Sequence, residues 1–195
     1  MKVLVACEYS GIVRDAFLRQ GHDAISCDIL PTESPGPHYQ GDVFDILGDG
    51  FDLIIAHPPC TRLCNSGVMW LAKRNLWEDM RAGALFFKKI LANKCSKIAI
   101  ENPIMHKYAV EIIGRRQDQV IQPWMFGHGE TKATCFWLKG LPKLIPTNIV
   151  TGREQRLHFL PPSKDRAKLR AKTYQGIAEA MASQWGVDTL AKEKP

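Results

Sequence analysis

The sequence contains no apolar run near the roughly 20 residues that a membrane-crossing helix requires. Met1 leads directly into strand-like KVLVA rather than into a charged and then apolar leader. The expectation is a cytoplasmic, unprocessed chain with no membrane partner. The six cysteines, Cys7, Cys27, Cys60, Cys64, Cys95 and Cys135, include no CxxC pair and lie scattered through apolar segments. That pattern argues against a disulfide framework and suits reduced thiols. His57, Cys60 and Cys64 are close in sequence but lack a fourth ligand at recognisable spacing, so no zinc site is expected. Internal repeats and low-complexity segments are also missing, which argues against a solenoid or a disordered array. At 195 residues there is room for one well-buried domain but hardly for a second of full size.

What is present is organised around FDLIIAHPPCTR, residues 51 to 62. Phe51, Leu53, Ile54 and Ile55 form a short continuous apolar run, the pattern of a parallel strand covered on both faces. Pro58 and Pro59 forbid further ladder bonding, so Cys60 falls at a rigid bend outside a strand's carboxyl end. Ligands bind at such ends in open α/β sheets. The plain alternative is that Cys60 is one more small buried apolar residue, the usual fate of a free cysteine.

The rest of the chain repeats that strand-end pattern. KVLVAC, residues 2 to 7, reads as a first strand, followed by a turn and a helix to about Gln20, with Gly21 closing it. DAISCDI, from Asp23, ends at Asp28, about twenty residues after the first strand, where nucleotide-binding folds place a ribose-binding acid. PTESPGPHY is a loop, after which Asp42 offers another carboxylate. Val68 to Leu91 is apolar-periodic, with Leu76, Met80, Ala84, Phe87 and Leu91 on one face. It reads as one long helix, or two with a break near Gly83. Trp70 and Trp77 suit either a core or a base-stacking surface, and composition favours core. KIAIE, 97 to 101, is another strand, running into Glu101-Asn102-Pro103. A helix is expected over 105 to 116, a strand at TCFWL, 134 to 138, and a last helix from Gln175 to Trp185.

The formal charge of +6 permits a polyanionic partner without proving one. Most of the excess sits between residues 151 and 172, where Arg153, Arg156, Lys164, Arg166, Lys168, Arg170 and Lys172 face only Glu154 and Asp165. A solvated face and a phosphate-contacting segment both fit such a run.

Four strand ends thus carry Glu8, Asp28, Cys60 and Glu101, and together they resemble the catalytic core of the DNA cytosine-5 methyltransferase family. HPPCT resembles that family's Pro-Pro-Cys nucleophile loop and ENP its Glu-Asn-Val segment. ACEYSG stands where the family has its glycine-containing first motif. The resemblance implies a doubly wound, Rossmann-like α/β sheet in a single domain spanning 1–195. Residues 1–60 would form the cofactor half with the nucleophile strand, 61–150 the catalytic half, and 151–195 the basic segment and closing helix.

It also implies S-adenosyl-L-methionine as cofactor, lined by Cys7, Glu8, Tyr9, Ser10 and Gly11, by Asp28 with Ile29, by Asp42 with Val43, and by Pro58. Cys60 would be the nucleophile and Glu101 the acid, held neutral or sharing a proton with the base, with Arg62 and Lys132 assisting. The chemistry explains the pairing. Cytosine C5 is a poor nucleophile until a thiolate adds at C6, and a free cysteine of pKa about 8.5 is only slightly ionised at neutral pH.

The chain departs from the family in keeping only Gly11 of the first-motif glycines. In place of the Gln-x-Arg-x-Arg segment it has at best ETKAT, where Lys132 would stand for an arginine. YQGIAEAM, 174 to 181, only weakly resembles the last motif. About forty residues stand where the family places a large target recognition domain. The implied function is C5 methylation of cytosine in DNA, with the basic segment on phosphates and a second subunit or partner protein able to supply recognition. Two rivals remain. One is methylation of free or single-stranded pyrimidine nucleotides, and the other a non-catalytic methyltransferase-like protein that binds DNA or a partner.

Overall fold

The computed structural model describes residues 1–187; residues 188–195, the end of the segment expected to close the domain, lie outside the described residues. Seven strands form one sheet: β1 (Lys2–Ala6), β2 (Asp23–Asp28), β3 (His38–Gln40), β4 (Leu53–Ala56), β5 (Ile98–Asn102), β6 (Gln119–Ile121) and β7 (Thr134–Lys139). Their order is β3-β2-β1-β4-β5-β7-β6. The first five are mutually parallel, whereas β7 runs antiparallel to both β5 and β6.

The apolar runs become strands because the sheet is covered on both sides. In β1, Leu4 and Ala6 enter one core with Ile54, Ala56, Ile98, Ile100 and Trp137. Val3 and Val5, one residue out of phase, enter the opposite core with Leu53, Ile55, Ala99 and Phe136. On the first face lie α2 (Val43–Ile46), α3 (Met69–Lys73), α4 (Trp77–Leu91) and α5 (Lys107–Ile113), contributing Leu71, Met80, Ala84, Phe87 and Ala109. On the second lie α1 (Ile12–Arg19) and α7 (Gln175–Trp185), which meet through Val13, Phe17, Ala178, Met181 and Trp185. Trp185 is buried edge-on against Phe136 at 5.5 Å and donates Nε1–H to Pro142 O at 2.9 Å. Its truncation to Ala would cost about 3–5 kcal/mol. The remaining helix, α6 (Arg166–Ala171), lies in the basic segment with no buried residue.

The structure corrects two local expectations and adds two short strands. The 68-to-91 segment breaks at residues 74 to 76, not at Gly83, which lies inside α4. Asn75 takes φ 49°, a left-handed conformation that Asn tolerates better than most residues and that cannot continue a helix. β3 and β6, three residues each, were too short for their periodicity to show. Trp70 and Trp77 are not core: they remain 40% and 37% exposed. Arg74 stacks on Trp70 with its guanidinium 4.5 Å from the ring centre, and Trp77 packs edge-on to Tyr108 at 5.1 Å.

Candidate active site

Parallel pairing in register brings the carboxyl ends of β1, β4 and β5 together, since Ala6 lies beside Ala56 and Ala56 beside Ile100. The residues just past those positions, Cys7–Ser10, His57–Cys60 and Glu101–Pro103, line one cleft of about 880 Å³. That volume lies within the range of small-molecule sites, toward its upper end.

At the end of β1, Cys7 adopts φ 57°. The chain thereby turns left-handed without the glycine that such a turn favours. Burial, followed by the charges of Asp28, Cys27 and Asp42, pushes the Cys7 thiol up to about 12. Glu8 turns inward and is buried. One of its oxygens accepts from the Val13 amide at 2.7 Å and Ser10 Oγ at 3.2 Å, and the other from the Arg14 amide at 3.2 Å. A carboxylate therefore satisfies the open start of α1 and fixes the turn.

Arg14 is fully buried beneath the loop that follows β2. Its guanidinium donates to Ser26 Oγ, Thr32 Oγ1, Asp15 Oδ1 and the carbonyls of Ser34, Pro35 and Pro37. A Cβ on Gly11 would lie 2.5 Å from Arg14 Nη2, so the one retained glycine of this turn is required by the arginine beneath it.

The loop after β4 is held from both sides. The His57 amide donates to Ala6 O at 2.9 Å, and Asn102 Nδ2 to Pro58 O at 3.1 Å. The amides of Leu63 and Cys64 both donate to Cys60 O, at 2.9 and 3.1 Å, coiling the chain so that the Cys64 side chain returns to the Cys60 side. The two thiols act on each other. The hydrogen bond with Cys64, then burial, then the charges of Cys64 and Glu101 push Cys60 far above the ordinary thiol range. Cys64 takes that bond, with further help from Ser66 and the Gly67 amide, and against its burial it is pushed down to about 5.

Glu101 Oε2 lies 3.1 Å from His57 Nδ1, and the two side chains are 13% and 10% exposed. Burial raises the Glu101 carboxyl, but the His57 hydrogen bond and the positive charges of Lys132 and His57 outweigh it, leaving it below the usual carboxylate range. Glu101 is thus an ionised partner of His57 rather than a neutral acid. Among the described residues, His57 Nε2 is buried without a partner.

The basic segment roofs this cleft. Gln155, Leu157, His158, Arg170, Lys172 and Thr173 line it from above. Lys172 Nζ lies 2.6 Å from Glu33 Oε2, and Lys132 Nζ donates to Lys172 O at 3.1 Å. Arg156 bridges Glu130 and Glu154 at 3.0 and 3.1 Å, Arg153 stacks on Trp124 at 3.9 Å, and Arg166 donates to His158 O at 3.4 Å. Among the described residues, Lys164, Lys168 and Arg170 enter no ion pair. Lys168 instead stands 6.0 Å over the Tyr9 ring.

The structure therefore brings Cys60, Glu101, Arg62 and Lys132 into one cleft with Cys7, Glu8, Tyr9, Ser10 and Pro58. Arg62 shares its charge with Asp79 at 3.5 Å. Gly11, Asp28, Ile29, Asp42 and Val43 lie outside the lining. Asp28 Oδ1 accepts from Leu30 N and Asp42 Oδ1 from Phe44 N, at 2.9 and 3.0 Å, and both stand close enough to act on Cys7. Ile29 is exposed, whereas the Val43 side chain is spent in the core. Sequence reasoning weighed His57 and Cys64 only as metal ligands and passed over Gln122, which lines the cleft and accepts from the Lys132 amide at 2.9 Å. The signal for His57 was its position directly before Pro-Pro at a strand end.

No protein-family model matches this chain, and neither does any curated protein sequence. Solved structures do. One, provisionally assigned as a DNA modification methyltransferase encoded within a prophage (E. coli), is 15% identical with a TM-score of 0.50, over 82% of this chain and 55% of the other. A second, the Entamoeba histolytica methyltransferase EhMeth, is 18% identical with a TM-score of 0.48, over 83% of this chain and 60% of that one. This chain thus spans little more than half the length of the structures it resembles. The likeness to the first is one of fold: a mixed α/β, Rossmann-like sheet of the methyltransferase type.

Proposed function

We propose that the cleft transfers a methyl group from S-adenosyl-L-methionine to C5 of cytosine in DNA through a covalent adduct with Cys60. The observation that carries this reading is the convergence of Cys60 and Glu101, from adjacent strand ends, on one cleft that continues to the β1–α1 turn. The bound cofactor supplies an electrophilic sulfonium methyl. Cys7, Glu8, Tyr9, Ser10 and Pro58 offer a wall for it, and Asp28, the last residue of β2, and Asp42, just past β3, offer carboxylates toward its nucleoside end. As the Cys60 sulfur bonds to C6, its thiol proton passes by way of the Glu101 carboxylate to N3, with Lys132 balancing charge beside Glu101, and C5 then takes the methyl as the methyl–sulfonium bond breaks. Loss of the C5 proton to solvent then expels the Cys60 sulfur, which recovers the N3 proton by the same route. In duplex DNA the base must first leave the stack, at a cost of a few kcal/mol.

A second reading is favoured by the roof. The cleft is closed over by residues 155 to 173, with Arg170, Lys172 and His158 facing it, which suits a free pyrimidine nucleotide or a single strand as well as a flipped base. Labelled cofactor offered with duplex DNA, single-stranded DNA and deoxycytidine nucleotides separates the acceptors. The proposal expects label in cytosine of DNA, lost in Cys60→Ser and Glu101→Gln. Label in nucleotides alone would favour the second reading. Cofactor binding without transfer to any acceptor would favour a non-catalytic binding protein.

A further inference from the structure

We propose that the cleft takes its acceptor as single-stranded DNA, with Trp70 and Phe159 as platforms on which bases beside the target cytosine stack; this rests on the reading of DNA as acceptor given above. Trp70 lines the cleft and stays exposed, although indole is among the side chains that gain most from burial. The short helix that carries it explains the exposure. Asn75, with φ 49°, stops the helical segment just past α3, and Leu71 is the one buried residue of that helix, so α3 is anchored by a single side chain and Trp70 is left facing the cleft. Two cations attend the ring: the Arg74 guanidinium lies 4.5 Å and Lys73 Nζ 5.5 Å from its centre. Among the described residues, neither cation enters an ion pair.

The basic segment supplies a second ring. Phe159 is 74% exposed and meets His158 edge-on at 5.0 Å, and His158 and Arg170 line the same cleft as Trp70. Exposed aromatic faces interleaved with cations suit an unpaired strand, because each base offers a face to a ring while its phosphate is drawn to the charge. A duplex offers no such face, since its bases are stacked on one another. The cost of opening points the same way. A duplex must be unpaired before a base can enter, and contacts to both separated strands have to offset that cost. The basic segment has few cations free to make them, because Arg156 and Lys172 are already held by carboxylates. An unpaired strand meets no opening cost, so two stacked bases and a few phosphate contacts suffice to hold it.

The test is fluorescence anisotropy with a labelled oligodeoxynucleotide of about 15 nucleotides, offered alone, annealed to its complement, and as the same sequence in RNA. The wild-type protein should bind the single DNA strand at least about tenfold more tightly than the duplex. Trp70→Ala combined with Phe159→Ala should weaken single-strand binding by about 10²-fold, roughly tenfold for each stacked base, while duplex binding stays within about twofold. The salt slope should not change, since stacking involves no counterion. Trp70→Phe combined with Phe159→Tyr keeps both rings and should bind within about threefold of wild type, which separates lost stacking from lost structure. Equal affinity for duplex and single strand, tighter binding of the RNA, a loss under about threefold in the double alanine variant, or equal losses in the alanine and aromatic variants would overturn the proposal. Binding is read without cofactor or turnover. A protein that shows this preference but methylates no cytosine would therefore sink the proposed function and leave the stacking surface standing, whereas methyl transfer undiminished by the double alanine substitution would sink the stacking surface alone.

Discussion

Lys172 Nζ lies 2.6 Å from Glu33 Oε2, tying the far end of the basic segment to the loop beyond β2. Both side chains are about one-third exposed, so the pair contributes only about 0.2–1 kcal/mol. Lys172→Met is therefore expected to leave the denaturation midpoint nearly unchanged while speeding amide exchange across α6, which buries no residue of its own. Hydrogen-exchange mass spectrometry reads this directly. Unchanged protection of α6 would mean that backbone contacts, not the ion pair, hold the roof down.

Arg14 should prove far more costly to change. Lysine cannot reproduce six contacts from a planar fork, and Arg14→Lys would leave buried carbonyls and Asp15 poorly paired. A loss of about 3–5 kcal/mol is expected in urea denaturation as residues 31 to 37 lose their clamp. A loss under about 1 kcal/mol would contradict this account of the loop.

The Glu101 carboxyl, lowered by His57 and Lys132 despite its burial, gives a stability effect of definite sign. A group whose folded-state pKa is depressed contributes stability above its unfolded value, about 4.3, and loses it as pH falls further. Glu101→Ala should thus cost about 1–3 kcal/mol at pH 7, leaving His57 Nδ1 without its acceptor. Urea denaturation should show the deficit narrowing below about pH 4. A deficit that is constant from pH 7 to pH 3 would mean that packing rather than charge is responsible.

The thiol pair predicts an order of chemical reactivity. With Cys64 pushed down to about 5 and Cys60 pushed up, iodoacetamide at pH 6.5 should alkylate Cys64 well before Cys60. In Cys60→Ala the hydrogen bond from Cys60 is gone, so Cys64 should need higher pH. Peptide mapping by mass spectrometry checks both. Faster alkylation of Cys60 in the wild type would reverse the assignment within the pair.

The basic segment has fewer free charges than its composition suggests. Arg156 and Lys172 are held in ion pairs and Arg153 and Arg166 on ring or carbonyl partners, leaving Lys164 and Arg170, with Lys168 only loosely placed 6.0 Å over the Tyr9 ring. Three phosphate contacts imply a log-affinity against log-salt slope of roughly −3 on duplex DNA. Neutralising Lys164 and Arg170 should flatten it by about 2 units. A slope near zero in the wild type would remove this segment from DNA binding.

The reading of Cys60 and Glu101 as neighbours was available from the chain because each follows a short apolar run ended by proline, and parallel strands deliver their ends to the same edge. The helix at Gln175 was equally legible from Ile177, Met181 and Trp185 at helical spacing. The state of the site was not. Whether Glu101 is neutral or ionised depends on His57 and Lys132, which lie 44 and 31 positions away in the chain and meet it only in the folded sheet. The segment break at Asn75 depended on one left-handed residue that propensity does not mark strongly.

The sequence by itself determined the alternation of strands and helices, the two-sided cores and the strand ends that carry chemistry, because apolar period and breaking residues act locally along the chain. Only the tertiary structure decided that Glu8 caps α1, that Arg14 anchors the loop beyond β2, that Trp70 stays exposed, and that the basic run covers the cleft. These outcomes depend on which distant groups compete for the same hydrogen bonds and the same buried space. No local pattern encodes that competition, because burial and electrostatic coupling arise only when the sheet has brought the competitors within a few ångströms of one another.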